Sequence, residues 1–481
     1  MIIDFTAIDT ERTYDVCIVG SGPAGMTCAL ELAKQGKQVL LLEGGDNSYS
    51  AESQEIYAGK TIGDTYYALD ETRLRQLGGS SGLWSGWCRR LDESDFREKA
   101  HNPYSVWPIS KSDLDPYYDR ARDILDIAPI DSGIDPESDE IAASHFRYST
   151  VSFAEKFGDE ITNSQSIRCA LRSNLLEILT DGNSVTGLKI ADYAGSEKQV
   201  RANAYVLACG GIENSRVLLW SNEKSNGALV KNAAMLGMYW MEHPEAVVGE
   251  AVLNHEHFSF DEVGVCRFTP KPSTMQQEEI LNCSIELHKS AYSATHTTVY
   301  SMTRKMIANL ACVAPTYGSW AFKMLGKELV CGALVRAAWE QGPRAENCVV
   351  LGKERDRFGI PRSELHWRKS EADLKTVRVM TQKVAEFVAA KDIGRIRIKP
   401  WVLGEEPEPV DKEPAGHHHM GGTRMAADAS QGIVDADCRV FGQPNLFVAG
   451  SSVFPSSGYA NPTFTIVQLA LRLSEKLATV V

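Results

Sequence analysis

Residues 416–425 read GHHHMGGTRM, which sets three histidines side by side ahead of a glycine pair. Histidine has an ordinary pKa near neutral pH, so one of these rings can act as a general base. A metal centre is the competing chemistry. Zinc needs three or four ligands that converge on one point. Adjacent residues of an extended segment point to opposite faces. His417 and His419 are therefore expected on one face and His418 on the other, and no metal is expected. Near the C-terminus, Asn461-Pro462-Thr463 opens the apolar run PTFTIVQLALRLSEKL. Asparagine before proline reads as a helix N-cap with proline at the first helical position. Near the N-terminus, Gly20-Ser21-Gly22-Pro23-Ala24-Gly25 fits GxGxxG. Gly20 permits a tight turn, Gly22 leaves a pyrophosphate room to approach, and Gly25 lets a helix lie close to a strand.

The elements around these residues have to position them. YDVCIV (14–19) predicts a short strand, MTCALELAKQGKQ a helix stopped at Gly36, and VLLLE (39–43) a second buried strand. Strand, glycine turn, helix and strand make a βαβ unit, whose helix N-terminus offers free N–H groups to phosphates. Glu43 ends the second strand, where it can accept both hydroxyls of an adenosine ribose. Further glycine turns follow: RQLGGSSGLWSGW (75–87), VLACGGIENSRVLL (206–219) and LFVAGSSVFPSSGYANPTFT (446–465). One nicotinamide dinucleotide needs no such set of returns, whereas an extended FAD can use all of them. A helix is predicted over 112–125 and an amphipathic one over 371–390. Residues 322–339 carry apolar positions at helical spacing and predict core packing. The charged stretch 403–414 predicts an exposed loop.

The chain has 481 residues, 43% of them apolar, and a formal net charge of −13. Its length favours two lobes over one oversized core. An acidic surface repels phosphate backbones and anionic membranes, so nucleic-acid and membrane partners are not expected. The eleven cysteines include no CxxC pair. Several lie in apolar runs, as buried thiols do. With no signal-like start and no long apolar span, the chain reads as cytoplasmic.

Taken in order, VGSGPAG…LLLEGG, GGSSGLW, ACGGIENSRVLL, GMYWMEHPE, HHMGGTRM and AGSSVFPSSGYANPT resemble the glucose–methanol–choline (GMC) family of flavoproteins from end to end. WSGWCRRLDESDF and WPISKSDLDPYY are most similar to its bacterial sugar- and glycoside-oxidising branch. The resemblance implies an α/β fold. A discontinuous Rossmann-type FAD-binding lobe (1–95, 160–222 and 432–481) would join a substrate-binding lobe (96–159 and 223–431) with an antiparallel sheet backed by helices. It implies FAD-dependent oxidation of an alcohol, on a sugar or glycoside, with oxygen or another acceptor taking the electrons. His418 matches the family base and Asn461 the amide that orients the alcohol. The FAD-contacting positions it implies include Gly20, Gly22, Pro23, Ala24, Gly25 and Glu43 in the first unit. The second glycine motif adds Gly78, Gly79, Ser80, Ser81, Leu83 and Trp84. Leu176, Ala208 and Gly210 follow in the middle, then Gly450, Ser451, Asn461, Pro462 and Thr463. Some relatives attach FAD through a histidine in the second motif. Leu83 stands at the comparable position, which implies non-covalent FAD. Many relatives have Asp-Gly-Ser where this chain has Gly450-Ser451-Ser452, so backbone N–H groups must serve there. His243 is expected to be a structural hydrogen-bonding residue between lobes, and Arg424 to anchor the loop after His418. His419, Glu340 and Gln341 are candidates for substrate contact. A lyase of the same fold, a NAD-dependent reductase and a nucleotide-holding binding protein remain open.

Overall fold

A computed structural model describes residues 1–99, 103–130, 135–136, 138–289, 307, 310–311, 315–325, 332–409 and 414–481. The GxGxxG unit forms as its pattern predicts. The strand Thr13–Val19 runs into the helix Pro23–Lys34 and returns as Val39–Leu42. The two strands pair in parallel, Val16 beside Val39 and Val19 beside Leu42. Their side chains are buried from Val16 to Leu42 with few breaks, because helices cover both faces of a parallel sheet. Gly36 ends the helix at φ +80.

Ile167–Ala170 extends this sheet on one side and Glu197–Leu207 on the other, and Leu446–Val448 pairs in parallel with the end of Glu197–Leu207. The strands Asn174–Thr180 and Val185–Ala191 add an antiparallel edge. All the parallel strands therefore deliver their C-terminal ends to one rim. Gly20–Gly22, Cys209–Gly210 and Ala449–Gly450 follow those ends, and ligands of open α/β sheets bind at such a rim.

A second sheet is antiparallel throughout. Its order is Gly394–Ile398, Glu245–Leu253, Ala333–Trp339, Cys283–His288, Val265–Pro270, Ile141–Ser144 and Asp135–Pro136. The helix Glu371–Ala390 lies over the residues predicted for it, with Ser370 and Asp373 forming a capping box. Its buried Val377, Met380 and Val384 pack on this sheet. Among the described residues, a smaller sheet joins Cys348–Arg355, Pro361–Trp367 and Lys60–Gly63.

Some expectations need correction. Of the apolar stretch 322–339, Ala333–Trp339 is a strand, in which Ala333, Val335, Ala337 and Trp339 alternate inward. Residues 326–331 lie outside the described residues. Short apolar runs fit both periods, and strand neighbours decided this one. Over 112–125 the α-helix spans Tyr118–Leu125 alone, after two 3-10 turns that include Pro116. Residues 96–159 divide. Ile141–Ser144 joins the second sheet, while Trp107, Leu114, Leu125 and Phe153 pack into the core of the first. The described part of 403–414 is mostly exposed turn, and 410–413 lie outside the described residues. Among the described residues no helix is long and apolar enough to cross a membrane.

Candidate active site

A cavity of about 690 Å³ runs along the rim of the parallel sheet. That volume is in the range of small-molecule and cofactor sites, roughly 300–1,000 Å³. Gly20, Gly22, Pro23, Ala24 and Glu43 line its first stretch. Gly79, Ser80, Ser81, Leu83 and Trp84 form another part of the wall. Leu176, Ala208, Gly210, Gly450 and Ser451 continue it, and Pro462 and Thr463 lie at the end where His418, His419 and Asn461 also open onto it. Segments distant in the chain thus share one elongated space.

The glycines test whether that space suits a dinucleotide. A Cβ built on Gly22, Gly210 or Gly450 meets nothing within 4 Å. All three line the cavity, so side chains there would fill it. Gly20 and Gly25 differ. A Cβ on Gly20 would lie 2.4 Å from the Ala208 carbonyl, and one on Gly25 would lie 1.9 Å from the Gly20 carbonyl. These two set backbone packing behind the cavity, as the motif requires. The residues present fit an extended dinucleotide.

Two of the expected cofactor contacts stand back from the cavity wall. Gly25 is buried in the strand–helix contact. Gly78, at φ +82, donates its N–H to Ser21 Oγ at 3.2 Å and backs onto Ala154. Ser21 Oγ in turn donates to Glu43 Oε2 at 2.6 Å, and the Gly45 N–H donates to Glu43 Oε1 at 2.7 Å. The Ser21 N–H also donates to Oε2, at 3.0 Å, so Glu43 is oriented by the first and second glycine turns together with acceptor capacity left on Oε1. Leu83 is 70% exposed in the open cavity wall.

The histidine run is built on a short antiparallel ladder. Met241 and Met420 exchange N–H···O bonds at 2.8 and 3.0 Å, and the Gly416 N–H donates to the His243 carbonyl at 3.0 Å. Pro244 pairs with Ala415, so the register slips between the two pairs. The slip is taken up at His417, whose φ is +60. Glu242 sits at the slip, fully buried, and its Oε1 accepts the N–H groups of both His243 and His418. Burial pushes the Glu242 carboxyl up to about 8, against the pull of its hydrogen bonds. Its Oε2 accepts from Tyr66, whose hydroxyl lies 3.1 Å from His419 Nε2.

This bulge corrects the expected alternation. His417, His418 and His419 all line the cavity, because a left-handed residue breaks the two-residue repeat. The His417 ring lies 4.1 Å from that of Tyr67. His418 Nδ1 is 2.9 Å from His243 Nδ1, and Asn461 Nδ2 is 3.0 Å from His418 Nε2. Burial holds the His418 pKa well below its ordinary value, and the neighbouring rings of His243, His417 and His419 add to the effect. Burial, with Arg73 and His417, does the same to His419. At neutral pH His418 is an uncharged ring with room to accept a proton.

Asn461 does not cap its helix. The helix is Thr463–Val480 with Pro462 at the N-cap, and no side chain bonds its first turn. The Asn461 amide turns instead toward His418. Gly421 and Thr423 donate to the carbonyls of Ser451 and Ser452, both at 3.0 Å, which ties the histidine loop to the last glycine turn. Arg424 is buried, with its guanidinium 5.1 Å from the ring centre of Tyr239.

Glu340 and Gln341 do not reach the cavity. Both are fully buried. Lys99 Nζ donates to the Glu340 carboxylate at 2.6 Å. Gln341 Oε1 accepts from Trp367 Nε1 at 2.9 Å, and its amide donates to the Arg368 carbonyl at 3.1 Å. Their polar atoms are spent inside the protein. Tyr66, Glu242 and the His243–His418 contact escaped sequence reading. GMYWMEHPE was the nearest signal, and it did not show which residues face His418.

Residues 15–219 match the FAD dependent oxidoreductase family model, and residues 343–470 match the GMC oxidoreductase model. The chain is 22% identical to the fructose dehydrogenase large subunit of Gluconobacter japonicus, over 96% of this chain and 97% of that one. It is 23% identical to 2-methyl-1,2-propanediol dehydrogenase of Mycolicibacterium austroafricanum, over 96% and 95%. It is 22% identical to 6'''-hydroxyparomomycin C oxidase of Streptomyces lividus, over 98% and 92%. In fold it is similar to formate oxidase of Aspergillus oryzae, with a TM-score of 0.58 at 15% identity over 98% of this chain and 99% of that one. The chain is an FAD-dependent oxidoreductase that acts on CH–OH donors. Its C-terminal part, residues 343–470, is similar to the GMC oxidoreductases, the family that the ordered motifs resemble.

Proposed function

We propose that this enzyme oxidises a hydroxyl of a sugar or glycoside to a carbonyl, with His418 as the base and Asn461 holding the reacting oxygen. One observation carries the reading. Asn461 Nδ2 and His418 Nε2 face each other 3.0 Å apart at the cavity end, on a ring that is neutral at neutral pH. A hydroxyl that displaces this direct contact accepts from the Asn461 amide and donates its proton to His418 Nε2. The amide then stabilises the negative charge that gathers on the oxygen as that proton leaves. FAD, when bound, supplies the ring that accepts the hydride.

The glycine turns at Gly22, Gly210 and Gly450 hold the cofactor by close backbone approach, and Glu43 receives the adenosine ribose. We propose that it is held without a covalent bond, because Leu83 offers no nucleophile. The sugar or glycoside class rests on relatives named as fructose dehydrogenase and as an aminoglycoside oxidase. Electrons leave to oxygen or another acceptor. The proposed FAD-binding lobe takes in 1–95, 160–222 and 432–481 around the parallel sheet, together with the part of 96–159 that carries Trp107, Leu114, Leu125 and Phe153 into its core, and His419 is the substrate-contact candidate that opens onto the cavity.

Anaerobic mixing with a panel of sugars, glycosides and simple alcohols tests the reading. Bleaching of the flavin by a sugar supports it, whereas turnover with the flavin left oxidised indicates a lyase. His418→Ala is expected to keep its yellow colour and to lose about 10²- to 10⁴-fold in the rate of bleaching. Bleaching at the normal rate in that variant would remove His418 from the role. Flavin that leaves the protein on acid precipitation confirms non-covalent binding.

A further inference from the structure

The two rings at the base of the site form part of a closed chain of hydrogen bonds. His243 is 2% exposed. Its Nε2 lies 2.8 Å from the Gly458 carbonyl. A carbonyl oxygen accepts and cannot donate, so this Nε2 carries a proton. Burial lowers the His243 pKa to about 4, so the ring is neutral near pH 7 and its Nδ1 is bare. A bare Nδ1 accepts from its partner at 2.9 Å, and that partner is His418 Nδ1. His418 must therefore carry its proton on Nδ1. Its Nε2 keeps a lone pair, and the Asn461 amide donates to it.

We propose that His243 is a positioning residue that fixes the tautomer of His418, so that the nitrogen facing the cavity is always the unprotonated one. The inference rests on the reading of His418 as base. It adds a mechanism for how the correct nitrogen is chosen. An isolated neutral imidazole can place its proton on either nitrogen, and a base with the wrong nitrogen bare faces its substrate with a donor. Here the choice descends from a backbone carbonyl, which has no alternative protonation state.

The loop 455–461 supplies both ends of the chain, Gly458 at one and Asn461 at the other. The loop is anchored beside Gly458 by Ser456, whose Oγ donates to the Asp95 carbonyl and accepts from Trp107 Nε1, both at 2.8 Å. When the substrate O–H bond breaks, its proton moves to His418 Nε2. The electron pair stays on the substrate oxygen, and the Nδ1 proton stays on its existing hydrogen bond. No second proton has to move before the base can act.

The test is the 15N spectrum of the histidine-labelled holoenzyme near neutral pH. His418→Ala assigns the resonances by their loss. The wild type is expected to show a pyridine-like Nε2 and a pyrrole-like Nδ1 for His418. A pyridine-like Nδ1 would overturn the proposal without any variant. His243→Leu removes the acceptor, so the Nε2-protonated tautomer of His418 should come to predominate and flavin bleaching should slow by about 10²-fold. His243→Asn returns an acceptor oxygen near the Nδ1 position and is expected to restore much of both readouts. A folded, FAD-bound His243→Leu variant with the wild-type tautomer and an unchanged bleaching rate would also overturn the proposal. If His243→Leu does not fold, the wild-type spectrum and the His243→Asn variant still decide. Normal bleaching in His418→Ala with a tautomer that still responds to His243 would sink the base assignment and leave the tautomer lock standing.

Discussion

Glu242 shows how one buried side chain can hold the geometry of the histidine loop without touching the cavity. Its Oε1 takes two backbone N–H groups at the register slip, and those groups belong to the two facing histidines. A folded carboxyl at about 8 against 4.5 when unfolded keeps a proton that the unfolded chain releases. Between those values the unfolded state binds fewer protons, so stability falls as pH rises and levels off above about 8. Glu242→Gln mimics the protonated acid and removes this cost. Its melting temperature is expected to match the wild type at about pH 5 and to exceed it increasingly up to about pH 8. A difference that does not change with pH would mean that Glu242 titrates normally. Glu242→Ala leaves both N–H groups without an acceptor and should cost about 1–3 kcal/mol for each. At this scale the sequence was half legible. His418 and Asn461 could be singled out by type and motif, but Glu242 and Tyr66 carry no local pattern that marks them.

The glycine turns matter as elements, and they divide into those that make room and those that pack. Gly22 has ordinary extended backbone, at φ −66 and ψ −175, with open space beyond it. Gly22→Val should fold normally by circular dichroism and yet purify without colour, because its side chain enters the cavity. Gly25→Ala puts a methyl group 1.9 Å from the Gly20 carbonyl. It should lower stability by about 1–3 kcal/mol, the usual cost of overpacking, as read from a urea melt. A yellow Gly22→Val protein would show that the cofactor does not approach that turn. The βαβ unit and the helix Glu371–Ala390 were legible because propensity, period and capping agreed locally. Ala333–Trp339 was not. Its apolar positions suit either period, and its neighbours Glu245–Leu253 and Cys283–His288 made it a strand.

Across the whole molecule, charge networks join elements that the cores alone do not. Arg216 on the helix Gly210–Lys224 bonds Glu213 at 3.1 Å, Asp356 and the Pro361 carbonyl at 2.7 Å. It thereby fastens the hairpin of the smaller sheet to the first lobe beside the cavity. Arg216→Ala leaves Asp356 buried without its cation, while Glu213 keeps Arg73 at 3.0 Å; breaking such a buried pair typically costs about 3–5 kcal/mol. A loss within about 1 kcal/mol in calorimetry would show that solvent reaches the network. By itself the sequence determined the parallel dinucleotide-binding unit, the order of the glycine turns and the residue types at the reacting end, since each is written within a few neighbouring positions. The tertiary structure alone decided that His243 meets His418, that Asn461 turns from its helix to the ring, and that Glu340 and Gln341 are closed off. The two facing histidines lie 175 positions apart. Their meeting depends on a register slip at His417 and on the Gly458 loop, and neither is encoded in residues adjacent to them along the chain.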